Sequence, residues 1–163
     1  MDESGQRASV TRRVRELLES GFYQLPPGVP AVAGEPLAVH APDGAIHSWM
    51  VPFTAATKLV AWAQLSPSLD PLRFSVLSGG RKDALPDAAD WLDTSQILAM
   101  VAAVAGAGPV LSVPVLTYDR DPSRLVWMVE SCAPGGAVRR WFSAGRSVWE
   151  DAGDEEVTGG PPR

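Results

Sequence analysis

The chain contains two similar stretches, KLVAWAQL at residues 58–65 and RLVWMVES at residues 124–131. Each begins with a cation followed by Leu-Val, directly after a polar segment typical of a turn, 54–57 in one case and 119–123 in the other. The segments on either side of both stretches also have the composition of strands. The sequence therefore predicts two similar units, each burying one face of a small sheet under one helix.

The first unit begins with an amphipathic helix that follows Ser9 and ends at Gly21, a residue suited to the left-handed position after a helix. The apolar stripe of this helix, at i, i+4, i+7 and i+8, consists of Val10, Val14, Leu17 and Leu18. A proline-rich linker at 26–30 cannot continue the helix. Strands are expected at 36–40, 45–53, 59–65 and 72–77, joined as an antiparallel meander.

The second unit begins with a helix that has a strong start signal. Asp93 is the expected N-cap, Gln96 lies three residues later as in a capping box, and Leu92 and Ile97 form a hydrophobic staple. Residues 97–105 are apolar on nearly every side, which predicts a helix buried between the two sheets. Strands are expected at 110–118, 125–131, 137–143 and 147–149.

The predicted fold class is thus α+β, with two helix-plus-antiparallel-meander units related as a pseudo-repeat. Residues 1–8 are expected to be disordered, 9–80 to form the first unit, 81–150 the second unit, and 151–163 a disordered acidic tail.

Composition limits the function classes. A net charge of −5 argues against nucleic-acid binding, which requires a basic surface. The most apolar run, 97–115, is interrupted by glycines and prolines and is too broken to span a bilayer. The N-terminus does not resemble a signal peptide, and Cys132 has no second cysteine with which to pair. These features predict a cytoplasmic protein, and the abundance of Arg, Ala, Gly and Pro indicates a bacterial one.

No segment carries a strong catalytic or metal-binding pattern. His40 and His47 lie on neighbouring strands, and Asp43 is their only nearby candidate for a third metal ligand. Surface histidines explain this arrangement better than a metal site. Cys132 lies at the start of a turn, and the glycine-rich segment 78–82 lacks the spacing of a phosphate-binding loop. We therefore expect neither catalytic residues nor a cofactor.

Aromatic residues give the best indication of a binding surface. The predicted binding residues are Trp49, Trp62, Arg139 and Trp141, all on strands whose two faces both carry apolar side chains. The predicted helices are too few to cover both faces of two sheets. Either the sheets pack on each other, or the chain dimerises, or a partner binds a face rich in Trp and Arg, which are the residues that dominate interface hot spots.

The order of elements in residues 93–149 resembles a PepSY-like, or cystatin-like, module. The matching elements are Gln96–Val104, Leu111–Tyr118, Leu125–Ser131 and Ala137–Trp149. Residues 143–148, SAGRSV, occupy the place where that family has a turn of the type Asp-Ala-x-Thr-Gly-x-Val, but the Asp and Thr are absent here. The resemblance implies a binding or inhibitory module without catalytic residues.

The leading hypothesis for function is a non-catalytic module that binds a protein or peptide through a strand edge or a Trp/Arg-rich sheet face. One alternative is a cystatin-like cone that encloses a small molecule and acts as a cyclase or isomerase, with His47 and an acidic neighbour as the titratable pair. Another is a homodimeric scaffold protein whose sheet faces bury each other.

Overall fold

The computed structural model describes residues 2–77 and 85–152 of the chain. In this part, two antiparallel sheets and three helices form an α+β fold, which confirms the α+β class that the sequence predicted. The glycine-rich segment 78–82 and residues 153–163 of the predicted acidic tail lie outside the described residues.

Helix α1 (Glu3–Glu19) begins earlier than the sequence predicted. The carboxylate of Asp2 accepts a hydrogen bond from the backbone N–H of Gly5 at 2.9 Å, so Asp2 is the N-cap. Residues 3–8 are consequently helical rather than disordered. The helix ends at Glu19 with Ser20 as its C-cap, and the expected glycine, Gly21, follows in the left-handed conformation with a φ of +76°.

Sheet A follows α1 and has the order β1–β3–β4–β5, with β2 also pairing with β3. Because β4 occupies the other side of β3, the two short strands β1 and β2 share one side of it. The strands are β1 (Val32–Ala33), β2 (Leu37–His40), β3 (Ile46–Ala55), β4 (Lys58–Leu65) and β5 (Pro71–Val76).

The second half begins with two short helices, α2 (Ala89–Leu92) and α3 (Thr94–Ala105). Sheet B follows with the order β10–β9–β8–β6, and β7 also pairs with β8. Its strands are β6 (Val110–Leu111), β7 (Val115–Tyr118), β8 (Leu125–Cys132), β9 (Val138–Ala144) and β10 (Ser147–Glu150).

The two sheets have corresponding strand orders, because in each the third strand of the half pairs with two short strands on one side and with the fourth strand on the other. A proline separates the short strands in both halves at the same spacing, since Val32 precedes Pro36 as Val110 precedes Pro114. Proline lacks a backbone N–H and breaks the ladder, so the single strand predicted at 110–118 is divided into β6 and β7.

Two apolar clusters hold the sheets and helices together. In the first, Val10, Val14 and Leu17 of α1 cover one face of sheet A. The second cluster joins α3 and sheet B to Val39 and Met50 of sheet A, so the two halves share a core. Strands β2 and β7 lie next to each other at this junction, where the Thr117 hydroxyl donates a hydrogen bond to the His40 carbonyl at 2.7 Å.

Helix α3 differs from the prediction in one important respect. Only Ile97 and Val101 are fully buried, whereas Val104 is 54% exposed, so α3 covers one face of sheet B and does not lie between the sheets. Its predicted N-cap is confirmed, because Asp93 accepts from the N–H of Gln96 at 3.3 Å and of Ser95. The Gln96 side chain does not return to Asp93, as a capping box requires.

Candidate functional site

The four residues predicted to bind a partner, Trp49, Trp62, Arg139 and Trp141, do not form one surface. Trp49 is only 1% exposed and packs in the cluster under α1. The guanidinium of Arg7, on α1, lies 5.7 Å from the centre of its ring. The alternation of β3 directs this indole to the face that α1 covers, so Trp49 stabilises the core and is not available to a partner.

Trp141 is also a core residue, covered from the side of α3. Its indole N–H donates a hydrogen bond to the Ser131 hydroxyl at 2.9 Å. The neighbouring Arg139 lies 5.4 Å from the ring centre and binds the Glu150 carboxylate through two hydrogen bonds of 2.8 and 2.7 Å. The Trp–Arg pairs that suggested a docking face are therefore internal contacts in these two places.

Trp62 lines a cavity that lies at the junction of the two halves and has a volume of about 370 Å³. We call it the junction cavity. Strands β3, β4, β8 and β9, helix α2 and the segments beside them all contribute to it. Its lining residues are Met50, Leu59, Trp62, Leu77, Pro86, Trp91, Ser123, Arg124, Leu125, Val126, Ala144 and Trp149.

The lining is mostly apolar, and its polar side-chain groups are mainly hydrogen-bond donors. Trp62, Trp91 and Trp149 each present an indole, and none of the three N–H groups donates to another described residue. Among the described residues of the lining, Arg124 is the only charged one and Ser123 the only one with a hydroxyl. Such a cavity suits a ligand that is apolar over most of its surface and carries an acceptor.

Trp91 is fixed in the cavity wall from two sides. Its carbonyl accepts a hydrogen bond from the Trp127 indole at 2.7 Å, which attaches α2 to β8. Its ring lies against Gly145, where a Cβ would be 3.2 Å from the Trp91 Nε1. The turn between β9 and β10 therefore requires glycine both for its φ of +58° and for this close approach.

A charged network supports the same wall. The carboxylate of Asp90, which is buried, accepts from Arg146 Nε at 2.8 Å and from the Gln96 side chain. Asp87 accepts from Lys58 Nζ at 2.7 Å and from Arg146 Nη2 at 3.2 Å. The hydrogen bond from Lys58 is the main reason why the pKa of Asp87 lies below its usual value. Through these contacts, Arg146 links the β9–β10 turn to α2 and to β4.

A polar cleft of about 470 Å³ adjoins the junction cavity, and Ser123 lines both. Arg73 donates to the Ser123 carbonyl at 3.1 Å and lies 6.0 Å from the Trp62 ring centre. Asp121 accepts from the Ser123 N–H at 2.8 Å, and this bond is the main cause of its lowered pKa. The cleft is lined by His47, Gln64, Ser66, Leu72, Arg73, Asp121, Pro122 and Ser123.

The histidines are held in separate local contacts. His40 Nδ1 lies 3.1 Å from the Gly44 carbonyl, whereas the His47 ring packs on Tyr118 with 5.0 Å between ring centres. Within residues 2–77 and 85–152, no three His, Cys, Asp or Glu side chains are grouped so as to hold a metal ion. The helices in that part of the chain are also too short or too polar to cross a membrane.

Strand β5 forms a free edge of sheet A, because in the described structure it pairs with β4 alone. The N–H of Leu77 donates to the Val60 carbonyl at 2.9 Å, and Val76 lies opposite Ala61. Since hydrogen-bonded and non-bonded pairs alternate in an antiparallel ladder, the backbone N–H and C=O groups of Phe74 and Val76 point away from β4. They are available to another strand.

Apolar side chains accompany this edge. Leu72 and Val76 on β5 are exposed, and so is Phe22, at 66%. Phe22 lies beside Tyr23, which stacks on Phe74 of β5 with 4.4 Å between ring centres. The corresponding last strand of sheet B, β10, is shorter, and its Glu150 is paired with a neighbouring strand's arginine. On β5 the charged Arg73 is directed to the Ser123 carbonyl, and residues 74–76 at the other end of the strand are uncharged, which favours strand addition there.

Sequence reasoning did not select Trp91 and Trp149 as site residues. Trp149 was placed on a strand correctly, but the pattern of that strand does not reveal which surface it meets. Trp91 lies in α2, a four-residue helix that the hydrophobic periodicity did not predict. A comparison of the chain with known protein families, curated proteins and solved structures finds no match.

Proposed function

We propose that this protein is a non-catalytic module that binds an extended segment of a partner protein along the edge of β5. The observation that supports this proposal is the combination of outward-facing backbone groups at Phe74 and Val76 with the exposed apolar side chains of Leu72, Val76 and Phe22. Backbone hydrogen bonds would supply affinity, and alternate side chains of the partner would supply specificity.

The cyclase or isomerase alternative receives less support. It needs a titratable pair facing a cavity, and the junction cavity offers Arg124 and Ser123 as its polar side chains besides the indoles. His47 and Asp121 do line the polar cleft together. However, hydrogen bonds that Asp121 accepts from Ser123 lower the pKa of Asp121, which makes this carboxylate a weaker base.

We also propose that the two halves are a pseudo-repeat of a cystatin-like helix-plus-meander unit. The corresponding strand orders and the equal spacing of Val32–Pro36 and Val110–Pro114 support this relation. The contact between β2 and β7 also supports it, because these are equivalent strands. A binding function would then follow the family that the second half resembles.

The test uses a library of random peptides displayed on phage and selected against the full chain. A selected peptide is then measured by fluorescence polarisation with wild-type protein, Val76→Pro and Val76→Thr. Val76→Pro removes an outward N–H without removing a bond to β4, whereas Val76→Thr keeps that N–H. The proline variant loses one hydrogen bond, worth about 1 kcal/mol, and its ring obstructs the partner strand. We therefore expect the peptide to bind Val76→Pro about tenfold more weakly than wild type, and Val76→Thr as tightly as wild type.

The controls separate binding from folding. Thermal unfolding should be similar for both variants, since Val76 is partly exposed and its N–H lies outside the ladder. No enrichment of peptides, or equal binding by Val76→Pro, would refute strand addition at β5. A wild-type dimer that Val76→Pro converts to a monomer in sedimentation velocity would instead support the homodimeric scaffold.

A further inference from the structure

We propose that the junction cavity is a second binding site, which takes a small amphiphile with an apolar body and a carboxylate head. This site is separate from the β5 edge, and its ligand is of a different chemical class. A volume of about 370 Å³ is at the small end of the range of ~300–1,000 Å³ that is typical of small-molecule sites.

The apolar body is assigned from the lining. Met50, Leu59, Leu125 and Val126 supply aliphatic surface, and the three indoles supply flat surfaces that pack well against chains or rings. Both halves of the chain contribute, so the cavity exists only where sheet A, sheet B and α2 meet.

The head group is assigned from the donors at one side of the cavity. Arg124 lines the cavity beside Ser123, and Arg73 approaches Ser123 from the polar cleft. None of the described residues that line the cavity is acidic, and the carboxylates nearest to these donors, Asp119 and Asp121, lie outside its lining. A carboxylate satisfies a guanidinium better than a neutral group does, because the hydrogen bonds are charge-assisted.

Two carboxylates outside the cavity interact with these cations without using all of their donors. Asp119 forms an ion pair with Arg124 Nη2 at 3.5 Å, although the Arg124 side chain is largely exposed. Asp121 accepts from the Ser123 N–H at 2.8 Å and interacts electrostatically with both Arg73 and Arg124. Arg73 donates to a backbone carbonyl and retains further N–H groups, since a guanidinium carries five. A ligand carboxylate near Ser123 would therefore use guanidinium N–H groups that the contacts with Asp119, Asp121 and the Ser123 carbonyl leave over.

The experiment is isothermal titration of the full chain with decanoate, 1-decanol and decylamine, each below the concentration at which it aggregates. Decanoate should bind saturably with one molecule per chain. Decylamine should bind roughly tenfold more weakly or not at all, because its cation meets Arg124 instead of an acceptor. Saturable binding of decylamine that is tighter than that of decanoate would overturn the assignment of the head group.

Variants locate the site. Ala144→Leu places extra volume into the cavity and should abolish decanoate binding, whereas Ala102→Leu makes the same change on the exposed side of α3 and should not affect it. Arg124→Gln should remove the preference for decanoate over decanol while leaving the chain folded. Absence of saturable decanoate binding to wild type, or wild-type affinity in folded Ala144→Leu, would overturn the proposal. Val76→Pro should bind decanoate normally, which keeps this test independent of the β5 edge.

Discussion

Truncating two valines of α3 tests which side of this helix is buried. Val101 is fully buried in the cluster shared by α3 and sheet B, whereas Val104, less than one turn later, is 54% exposed. Val101→Ala and Val104→Ala are chemically identical changes on one helix. Any difference between them therefore reports burial alone.

The expected magnitudes follow from the methyl groups removed. Each buried methylene equivalent contributes ~0.8 kcal/mol, so Val101→Ala loses about 1.6 kcal/mol of transfer free energy. The cavity that remains raises the cost to about 2–3 kcal/mol. Alanine is the better helix former by up to about 0.6 kcal/mol, which offsets part of this loss. The net expectation is about 1.5–2.5 kcal/mol for Val101→Ala and about zero, or slightly stabilising, for Val104→Ala.

Urea unfolding followed by circular dichroism and by tryptophan fluorescence provides the assay. The two variants should share the wild-type m-value and differ in midpoint, and thermal unfolding of Val101→Ala should shift by roughly 2–4 °C per kcal/mol. Val101→Asp, which buries a carboxylate without a partner, should unfold the chain. Equal destabilisation by the two alanine variants would refute the reasoning, since α3 would then be buried on both sides.

Three further predictions concern single side chains. Lys58 lowers the folded-state pKa of Asp87, so the ionised Asp87 stabilises the fold fully above about pH 4, and this stabilisation is lost as the pH falls further. Asp87→Asn should therefore make the urea midpoint less dependent on pH between about pH 5 and 2. Burial raises the pKa of Tyr23, whose hydroxyl has no described partner, so Tyr23→Phe should stabilise by ~1 kcal/mol and remove a loss of stability above about pH 10. Gly145→Ala should reduce the free energy of unfolding by about 1–2 kcal/mol, and so lower the melting temperature, because of strain at φ +58° and contact with Trp91. An unchanged acid profile, a less stable Tyr23→Phe or a wild-type melt of Gly145→Ala would contradict the respective prediction.

The sequence predicted the individual elements better than their surroundings. Period-2 alternation and turn residues located β3, β4, β8 and β9 to within about two residues, because local geometry determines these signals. The exposed side of α3 was mistaken for a buried one because it consists mainly of alanines and Val104. Alanine favours a helix equally well at exposed and buried positions, so an apolar pattern built from it does not distinguish a one-sided helix from a two-sided one.

The tryptophans show why the site could not be predicted in the same way. Alternation separates the two faces within one strand, but the register that places Trp49 and Trp62 on opposite faces of sheet A comes from the pairing of β3 with β4. What covers each face depends on packing between distant segments: α1 covers Trp49, whereas Trp62 lines a cavity together with Trp91 and Trp149 of the other half.

The corresponding strand orders of the two halves give a physical reason for a cavity at this junction. Two helix-plus-sheet units that each bury one sheet face under one helix leave further apolar surface, here Met50 and Trp62 on sheet A and Val126 on sheet B. Packing of β2 against β7 joins the halves at one place, the Lys58–Asp87 and Arg73–Ser123 contacts join them at others, and Trp91 of α2 lines the cavity. Apolar residues that would be exposed to solvent in either half alone therefore line a shared cavity. A function located there belongs to the pair of units, and neither half could perform it separately.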